Sequence, residues 1–329
     1  MMLEIYSVFC CGVILMLITF LMLCLLLIKT TTPYPTVFRS KKEKSFLDPT
    51  NGKTSEFPSL SELWSLHLTV VVPAYEEETR IIPMLNECLQ YLESQRPDLT
   101  FEVIVVSDGS KDATANIARE YTKKHGSDAF RVLELETNRG KGGAVRLGVQ
   151  SARGAVILFA DADGATKFCD LAKLEESLKD IVKADYLTAP GAVAASLGIV
   201  CGSRAHLEEQ AISSRSLFRT FLMYGFHFLV WLFTVRGIRD TQCGFKLFTR
   251  EAARLSFSNL HVERWAFDVE LLYIAQKLKI PISEVAVNWT EIEGSKLVPF
   301  WSWIQMGRDL FFIWLRYRIG AWKLAKKIE

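Results

Sequence analysis

The chain has 329 residues, half of them hydrophobic, and a formal net charge of +2 at pH 7. This length holds one large domain or two small ones once an N-terminal anchor is set aside, and the apolar half supports a sizeable core. A nearly neutral charge argues against nucleic acid as the main partner. The seven cysteines are scattered without a Cys-x-x-Cys pair, which fits reduced thiols in the cytosol, and the five histidines lack the spacing of zinc ligands.

The N-terminus carries an uncharged, apolar segment over residues 5–28, which is long enough to cross a bilayer as a helix. A cleaved signal peptide has a shorter apolar region and a small-residue cleavage site, so we interpret residues 1–28 as an uncleaved transmembrane anchor. Only Glu4 precedes this segment, whereas a series of basic residues that begins at Lys29 follows it. The positive-inside rule then predicts a single-pass protein whose remaining chain lies in the cytosol.

Residues 29–66 are polar and carry four prolines, so we expect a linker there. After the linker, strand-like and helix-like segments alternate. Apolar, β-branched runs predict strands over 68–72, 101–106, 132–135 and 156–160. Apolar residues at helical spacing predict helices over 82–92, 113–121 and 140–152. The alternation indicates an α/β domain over 67–296, with a mostly parallel sheet that helices cover on both faces.

The second half of the chain contains three further segments of distinct composition. The alanine-rich residues 184–198 are interpreted as a flexible insertion before a strand at 199–201. The apolar run 221–235 is short for a membrane span, which favours a buried or membrane-surface helix. Tryptophans and arginines crowd residues 297–329, and this combination predicts amphipathic helices that associate with the membrane.

Three aspartates follow two of the predicted strands and open into glycine. Asp108 lies in Ser-Asp-Gly-Ser, and Asp161 and Asp163 lie in Asp-Ala-Asp-Gly. Ligands of such sheets bind outside the carboxyl ends of the strands, so these motifs predict a metal–nucleotide site. Asp161 and Asp163 are two positions apart and share a face, where they can hold Mg²⁺ or Mn²⁺ beside a diphosphate.

Two more segments belong to the same predicted edge of the sheet. Pro73-Ala74-Tyr75-Glu76-Glu77 ends the first strand, and Glu76 is either a nucleotide contact or a favourable charge at a helix start. The segment from Asn138 to Gly143, Asn-Arg-Gly-Lys-Gly-Gly, precedes a helix. Its backbone N–H groups and Lys141 can contact phosphate oxygens, although the spacing is not that of a P-loop.

The order Pro-x-Tyr-x-Glu, Ser-Asp-Gly-Ser, Asp-Ala-Asp-Gly resembles the inverting glycosyltransferases of family 2, which have the GT-A fold. Three longer motifs, over 201–206, 240–248 and 264–270, resemble the members of that family that glucosylate dolichyl phosphate. The resemblance implies a GT-A domain at the endoplasmic reticulum membrane. It also implies UDP-glucose, dolichyl phosphate and the lipid bilayer as partners, Mg²⁺ or Mn²⁺ as cofactor, and a role in N-glycosylation. The chain departs from the family pattern at Ser107, where an aspartate is usual, and at the 184–198 insertion.

The resemblance further implies roles for individual residues. The uridine pocket would be lined by Pro73, Tyr75, Glu76 and Asp108. The metal and the sugar diphosphate would be held by Asp161 and Asp163. The lipid phosphate would be bound by Arg204, with Arg215 or Arg219. The sugar or acceptor would be approached by Asp240, Gln242 and Lys246. The site would be closed by Trp265, Asp268 and Glu270. The alternative is core packing for Trp265, and a solvated helix face for the arginines at 215 and 219.

The acceptor expected from the resemblance explains the absence of an obvious base. A phosphate monoester has a second pKa of about 6 and is mostly dianionic at neutral pH, so it needs positioning more than deprotonation. We therefore expect one in-line displacement in which UDP leaves, stabilised by the metal and Lys141. Arg204 would offset the charge of the acceptor, and Asp240 would orient groups without being an obligatory base.

Three other functions remain open from the sequence. Transfer of mannose from GDP-mannose to the same lipid shares the front motifs. A processive polysaccharide synthase is less compatible, because such enzymes carry Gln-x-x-Arg-Trp and several spans, whereas this chain has Val-Glu-Arg-Trp at 262–265 and one clear span. A catalytically silent, membrane-tethered nucleotide-binding scaffold would account for Ser107 and for the insertion at 184–198.

Overall fold

The computed structural model describes residues 2–95, 98–207, 225, 229–292 and 299–325. It begins with a long apolar helix, α1 (Met2–Thr30), whose side chains are mostly exposed. Within the described ranges, α1 is the one helix that is long and apolar enough to cross a membrane. Its length and composition fit the membrane anchor predicted for this segment.

The folded domain contains a central sheet in which most strands are parallel. Its strands are β3 (Leu66–Ala74), β4 (Phe101–Ser107), β5 (Phe130–Glu134), β6 (Gly154–Ala160), β7 (Ile199–Ser203), β8 (Phe245–Thr249) and β9 (Ile282–Ala286). They are arranged in the order β5-β4-β3-β6-β8-β7-β9, and β8 runs antiparallel to both of its neighbours. A separate antiparallel hairpin precedes them, formed by β1 (Ser45–Leu47) and β2 (Thr54–Glu56). The strands predicted from the sequence are all present.

Helices connect these strands and cover both faces of the sheet. They are α2 (Ile81–Gln95), α3 (Thr114–His125), α4 (Lys141–Gln150), α5 (Leu171–Val182), α6 (Pro190–Ala195), α7 (Arg250–Ser258), α8 (Phe267–Lys277) and α9 (Pro299–Arg318). Successive residues of β3 enter different cores. Val71 packs in one cluster with α4, α7 and α8, whereas Val70 and Val72 pack in the other with α2 and α5. Burial on both faces explains why the strands read as continuous apolar runs, and the predicted α/β class is confirmed.

The segment 29–66, predicted to be a linker, is folded onto the domain over much of its length. Phe46 of β1 contacts Phe57 with ring centroids 5.0 Å apart, and the guanidinium of Arg131 lies 5.2 Å from the first ring and 5.3 Å from the second. Leu60 is buried in the core. The prediction is wrong for this part of the segment because its polar composition conceals a docked hairpin.

Residues 184–198 are also part of the folded core, and the predicted flexible insertion is wrong. Tyr186 and Val193 are buried in the same cluster as residues of the sheet. Pro190 occupies the first turn of α6, a position where its fixed φ angle favours a helix. Alanine-rich sequence is as typical of a short packed helix as of a flexible loop, which is why composition misled the prediction.

The C-terminal region packs onto the domain with one face of α9. Leu310 and Ile313 are buried, and the Trp322 ring stacks on His261 with ring centroids 4.1 Å apart. Trp322, one of the tryptophans on which the membrane prediction for 297–329 rests, is therefore buried by the domain itself. Phe312 and Arg308 are exposed on α9, so a role at the membrane stays a prediction for that face.

The apolar run 221–235 lies partly outside the described residues. Its described part is helical over 229–233, where Val230 is buried and Trp231 is half exposed. This mixture of buried and exposed side chains agrees with either of the two predicted settings, a buried helix or a helix at the membrane surface.

The packing of α6 generates a stability prediction. Val193→Asp places an unpaired carboxylate in the core. We therefore expect the free energy of unfolding to fall by about 3 kcal/mol or more, and Tm to fall by roughly 6 °C or more. Ala192→Asp is the matched control, because residue 192 is exposed on the same helix. Thermal unfolding followed by tryptophan fluorescence in detergent measures both variants. Equal Tm values for the two variants would show that α6 does not pack as described.

Candidate active site

The acidic motifs lie together at one edge of the central sheet. β3, β4 and β6 are parallel neighbours, so their carboxyl ends meet at the same edge. Asp108 follows β4 directly, and Asp161 and Asp163 follow β6. The structure therefore brings together the side chains that the sequence places after separate strands.

The loop after β3 contributes Tyr75 and Glu76 to this edge, and both are exposed. Glu76 has a φ angle of 53°, in the left-handed region, and its backbone N–H donates to Ser110 Oγ at 3.1 Å. Pro73 lies one step back inside β3, opposite Val106 in the register. Tyr75 and Glu76, which the resemblance assigns to the uridine pocket, are therefore exposed to solvent at this edge of the sheet.

Asp108 organises the loop that precedes α4. Its Oδ1 accepts the Arg139 N–H at 2.7 Å and its Oδ2 accepts the Gly140 N–H at 2.9 Å. Burial raises the pKa of Asp108, and these two hydrogen bonds only partly offset that effect. Both carboxylate oxygens therefore hold the loop before α4 and keep further acceptor capacity, so the contact with uridine expected for Asp108 stays a prediction.

Lys141, the first residue of α4, forms an ion pair with Asp161. Its Nζ lies 2.7 Å from Oδ1 and 2.9 Å from Oδ2 of that carboxylate. Burial, the largest single influence, would lower the pKa of Lys141, but the carboxylates of Asp161, Asp268 and Asp163 together outweigh burial and the pKa is raised. Lys141 is therefore a fixed positive charge, held in place at the carboxyl ends of the strands.

Two glycines make the ion pair possible. A Cβ on Gly244 would lie 1.8 Å from Asp161 Oδ2, and the backbone of these residues is joined by a 3.0 Å hydrogen bond from Asp161 N–H to the Gly244 carbonyl. Gly140 has a φ angle of 87°, and a Cβ there would lie 2.9 Å from the Glu263 carbonyl. Only glycine fits either position. Gly244 has no space for a Cβ, and Gly140 has little space and also needs a left-handed backbone.

Asp163 lies beside Asp161 and supplies a second carboxylate. Its Oδ1 accepts the Ala165 N–H at 3.0 Å. Burial and then the neighbouring Asp161 charge raise the pKa of Asp163. Two adjacent carboxylates that repel each other fit a hard divalent cation, whose remaining ligands would be diphosphate and water oxygens. Among the described residues no third carboxylate, histidine or cysteine joins them.

Arg204 and Asp240 form a second ion pair at this site. Arg204 donates from Nε to Asp240 Oδ2 at 2.7 Å and from Nη2 to Oδ1 at 2.9 Å. Burial would raise the pKa of Asp240, but Arg204 more than offsets burial, so the pKa is lowered. The pair therefore stabilises the fold above the ordinary aspartate pKa, and this contribution is lost only as the pH falls through the lowered value.

A cleft opens beside this pair, and its lining includes Arg204, Trp231, Arg239 and Gln242. The Arg204 guanidinium also lies 5.3 Å from the centroid of the Trp289 ring. A guanidinium has five N–H groups, so two bonds to Asp240 leave donors for an anion in the cleft. β8 lies between β6 and β7, with Phe245 opposite Ala160 and Lys246 opposite Cys201, so Asp161 and Arg204 leave the sheet at the same edge and both ion pairs belong to one site.

Lys246 and Asp268 are buried behind the site and do not line it. Lys246 Nζ donates to Asp268 Oδ1 at 2.6 Å and to the Cys243 carbonyl at 2.7 Å, and its side chain is fully buried. The predicted approach of Lys246 to the sugar or acceptor is therefore wrong. Asp268 contributes electrostatically to the raised pKa of Lys141, so this buried pair supports the site without reaching a ligand.

Glu270 has a structural role, and the prediction that it closes the site is wrong. Its carboxylate accepts the Val262 N–H at 2.6 Å and the Tyr317 hydroxyl at 2.8 Å, and it is fully buried. These bonds hold the chain that precedes α8. Trp265, in that same stretch, is 38% exposed, so the structure leaves it in a position where it can cover a ligand.

Four further residues differ in how they compare with the sequence prediction. Arg215 and Arg219 lie outside the described residues. Sequence reasoning missed Trp289, and it missed Gly244, whose position next to Asp161 depends on a long-range pairing. A glycine directly before a buried strand is the signal that could have drawn attention to Gly244.

Comparison with known families agrees with this geometry. Residues 69–255 match the sequence profile described as Glycosyl transferase family 2. The chain is 62% identical over 306 residues to the dolichyl-phosphate beta-glucosyltransferase of Drosophila melanogaster, covering 91% of this chain and 90% of that protein. It is 59% identical over 300 residues to the enzyme of the same name from Homo sapiens, covering 90% of each.

Solved structures with a similar fold include glucosyl-3-phosphoglycerate synthase from Mycobacterium tuberculosis in complex with Mn²⁺, UDP and phosphoglyceric acid. The sequence identity is 18% and the TM-score is 0.46, and the match covers 78% of this chain and 79% of that one.

The buried Lys246–Asp268 pair generates a second stability prediction. Lys246→Met leaves the Asp268 carboxylate unpaired in the core, so we expect the free energy of unfolding to fall by about 3–5 kcal/mol. The double variant Lys246→Met/Asp268→Leu removes both charges and should recover most of that loss. Denaturant unfolding measures the difference.

Lys179→Met is the matched control, because Lys179 forms its 3.2 Å pair with Asp185 on the exposed surface. We expect a change of about 1 kcal/mol or less for it. A Lys246→Met protein as stable as this control would contradict the structural role given to the buried pair.

Proposed function

The chain belongs to glycosyl transferase family 2 and, within it, to the dolichyl-phosphate beta-glucosyltransferases, and from this we propose that it transfers glucose from UDP-glucose to dolichyl phosphate with inversion. The product would be dolichyl beta-D-glucosyl phosphate, used in lipid-linked oligosaccharide assembly and protein N-glycosylation. One observation carries the proposal beyond the family match: two cations, Lys141 and Arg204, are each fixed by an aspartate within one site. Such a site suits a reaction in which two phosphate-bearing substrates meet.

The donor would bind at the carboxyl ends of β3, β4 and β6. Tyr75 and Glu76 would contact the nucleoside from the exposed loop after β3. The diphosphate would lie against Lys141, whose ammonium is already oriented by Asp161. A fixed positive charge stabilises the negative charge that develops on the leaving diphosphate, and it does so without reorganising during the reaction.

Asp161 and Asp163 would hold Mg²⁺ or Mn²⁺, which supplies further charge neutralisation for the diphosphate. The position of Asp163 supports this assignment: burial and then the neighbouring Asp161 carboxylate raise its pKa, and a cation there would offset both effects. Lys141 shares Asp161 with that site, so the chain's own cation and the metal would act on the same group of phosphate oxygens.

The acceptor phosphate would bind in the cleft beside Arg204. Dolichyl phosphate is mostly dianionic at neutral pH, so its oxygen can attack the anomeric carbon without a base. Arg204 would reduce the repulsion between this dianion and the donor diphosphate. Asp240, ionised and paired with Arg204, would orient the guanidinium, and Gln242 would lie alongside in the same cleft.

The membrane setting follows from the acceptor. Dolichol stays in the bilayer, so the enzyme must work at the membrane surface, and α1 would anchor it there. We place the protein in the endoplasmic reticulum membrane as a single-pass protein with its catalytic domain facing the cytosol, as the basic residues after α1 predict. Exposed Phe312 and Arg308 on α9 would face the lipid headgroups.

The proposal is tested with membranes that carry the chain, dolichyl phosphate, Mn²⁺ or Mg²⁺, and labelled UDP-glucose or GDP-mannose in parallel. We expect label from UDP-glucose in the lipid, and a loss of about 100-fold or more in Asp163→Ala. Asp180→Ala, an exposed aspartate on α5, is the matched control and should retain full transfer.

Other outcomes of this assay would change the account. Transfer of mannose instead of glucose would keep the reaction and change the donor. UDP binding without transfer from either donor would support the silent-scaffold alternative. If Asp240→Asn abolished turnover with both substrate affinities intact, Asp240 would be the catalytic base after all.

A further inference from the structure

A buried carboxylate connects the membrane-proximal segment to the candidate active site. We call residues 38–44, which follow α1 after a short interval, the strap. Glu43 of the strap is only 1% exposed. Its Oε2 accepts from the Ser40 N–H at 3.0 Å and from Arg139 Nη2 at 2.7 Å, and its Oε1 accepts from the Glu136 N–H at 3.3 Å. A carboxylate buried to this extent requires such donors, so the strap docks through charge.

Arg139 joins the strap to the loop before α4. Its guanidinium donates from Nη1 to the Phe38 carbonyl at 2.6 Å, in addition to its bond to Glu43. Its backbone N–H donates to Asp108 Oδ1 at 2.7 Å. Arg139 therefore contacts the strap with its side chain, and its backbone contacts Asp108 at the carboxyl end of β4. The next residues in the chain are Gly140 and Lys141.

The strap also contacts the other end of α4. Arg39 donates from Nη2 to Ser151 Oγ at 2.9 Å and to the Glu43 carbonyl at 2.6 Å. Ser151 is the residue that ends α4, and its hydroxyl donates to the Leu147 carbonyl at 2.9 Å. The strap thus holds α4 at both ends, and α4 carries the lysine that pairs with Asp161.

We propose that Glu43 and Arg139 are positioning residues for sugar transfer, an inference that rests on the proposed function. Neither side chain touches the diphosphate pocket. Their pair fixes the loop whose backbone sets the place of the Lys141 ammonium. A misplacement of about 1 Å in a group that stabilises the transition state can cost about 100-fold in rate, so the hold on this loop matters for turnover.

Glu43→Gln is a sharp test because both oxygens of Glu43 accept hydrogen bonds. A glutamine would place its NH₂ group against at least one N–H donor and loosen the strap while keeping the shape of the side chain. We expect kcat for glucosyl transfer to fall about tenfold or more, with the KM for dolichyl phosphate changed less than about twofold. Arg139→Lys should act in the same direction, since one ammonium cannot reproduce both guanidinium bonds.

A control variant separates positioning from lost stability. Glu102→Gln disturbs another buried carboxylate, whose partners Thr69, Arg131 and Arg153 all lie outside α4; it accepts from Thr69 Oγ1 at 2.7 Å and from Arg153 Nε at 3.0 Å. It should lower Tm at least as much as Glu43→Gln but leave kcat within about twofold of the wild-type value. Hydrogen exchange of the amides at 139–145 should become about tenfold faster in Glu43→Gln and stay unchanged in Glu102→Gln.

The two readouts distinguish the possible failures. If the wild-type chain transfers glucose but Glu43→Gln has wild-type kcat, or slows no more than Glu102→Gln, the positioning role is overturned. If the wild-type chain transfers no sugar, the proposed function fails, and the exchange rates alone decide whether the strap holds the loop. Unchanged exchange in Glu43→Gln would overturn the inference in either case.

Discussion

The rest of the site depends on the ion pair between Lys141 and Asp161. It joins the first turn of α4 to the carboxyl end of β6, and the surrounding backbone is shaped to allow it. Gly244 leaves room for the carboxylate, and Asp108 holds the loop from which the lysine projects. Carboxylates gathered at a buried sheet edge repel each other, and cations paired with Asp161 and Asp240 reduce that repulsion. In the proposed function, the same cations would serve the phosphate groups of the two substrates.

This balance of charge explains the layout around the edge. Asp240 is paired with Arg204 beside the cleft proposed for the acceptor, and Asp268 is paired with Lys246 behind the site. Asp163 has no lysine of its own among these pairs, and burial followed by the Asp161 charge raises its pKa. The two pairs differ mainly in exposure: Arg204–Asp240 lines the cleft, whereas Lys246–Asp268 is buried.

The sequence predicts the sheet and the edge at which the site forms, because buried parallel strands read as apolar runs and chemistry follows their carboxyl ends. It does not reveal which charges are buried. Glu43 and Arg139 are 96 positions apart, and Lys246 and Asp268 are 22 apart, so nothing local marks them as pairs. Buried glutamates such as Glu270 read like surface charges, and the strap and α6 were misjudged because composition does not report docking.

The central claim is that Lys141, oriented by Asp161, stabilises the departing diphosphate. The most direct measurement is steady-state transfer from UDP-glucose by Lys141→Met beside the wild-type protein, with Tm and the KM for dolichyl phosphate recorded for both. The account predicts a loss of about 100-fold or more in kcat/KM for UDP-glucose, with the KM for dolichyl phosphate unchanged. Transfer within about threefold of the wild-type rate would contradict it, because the pair would then only join α4 to the sheet.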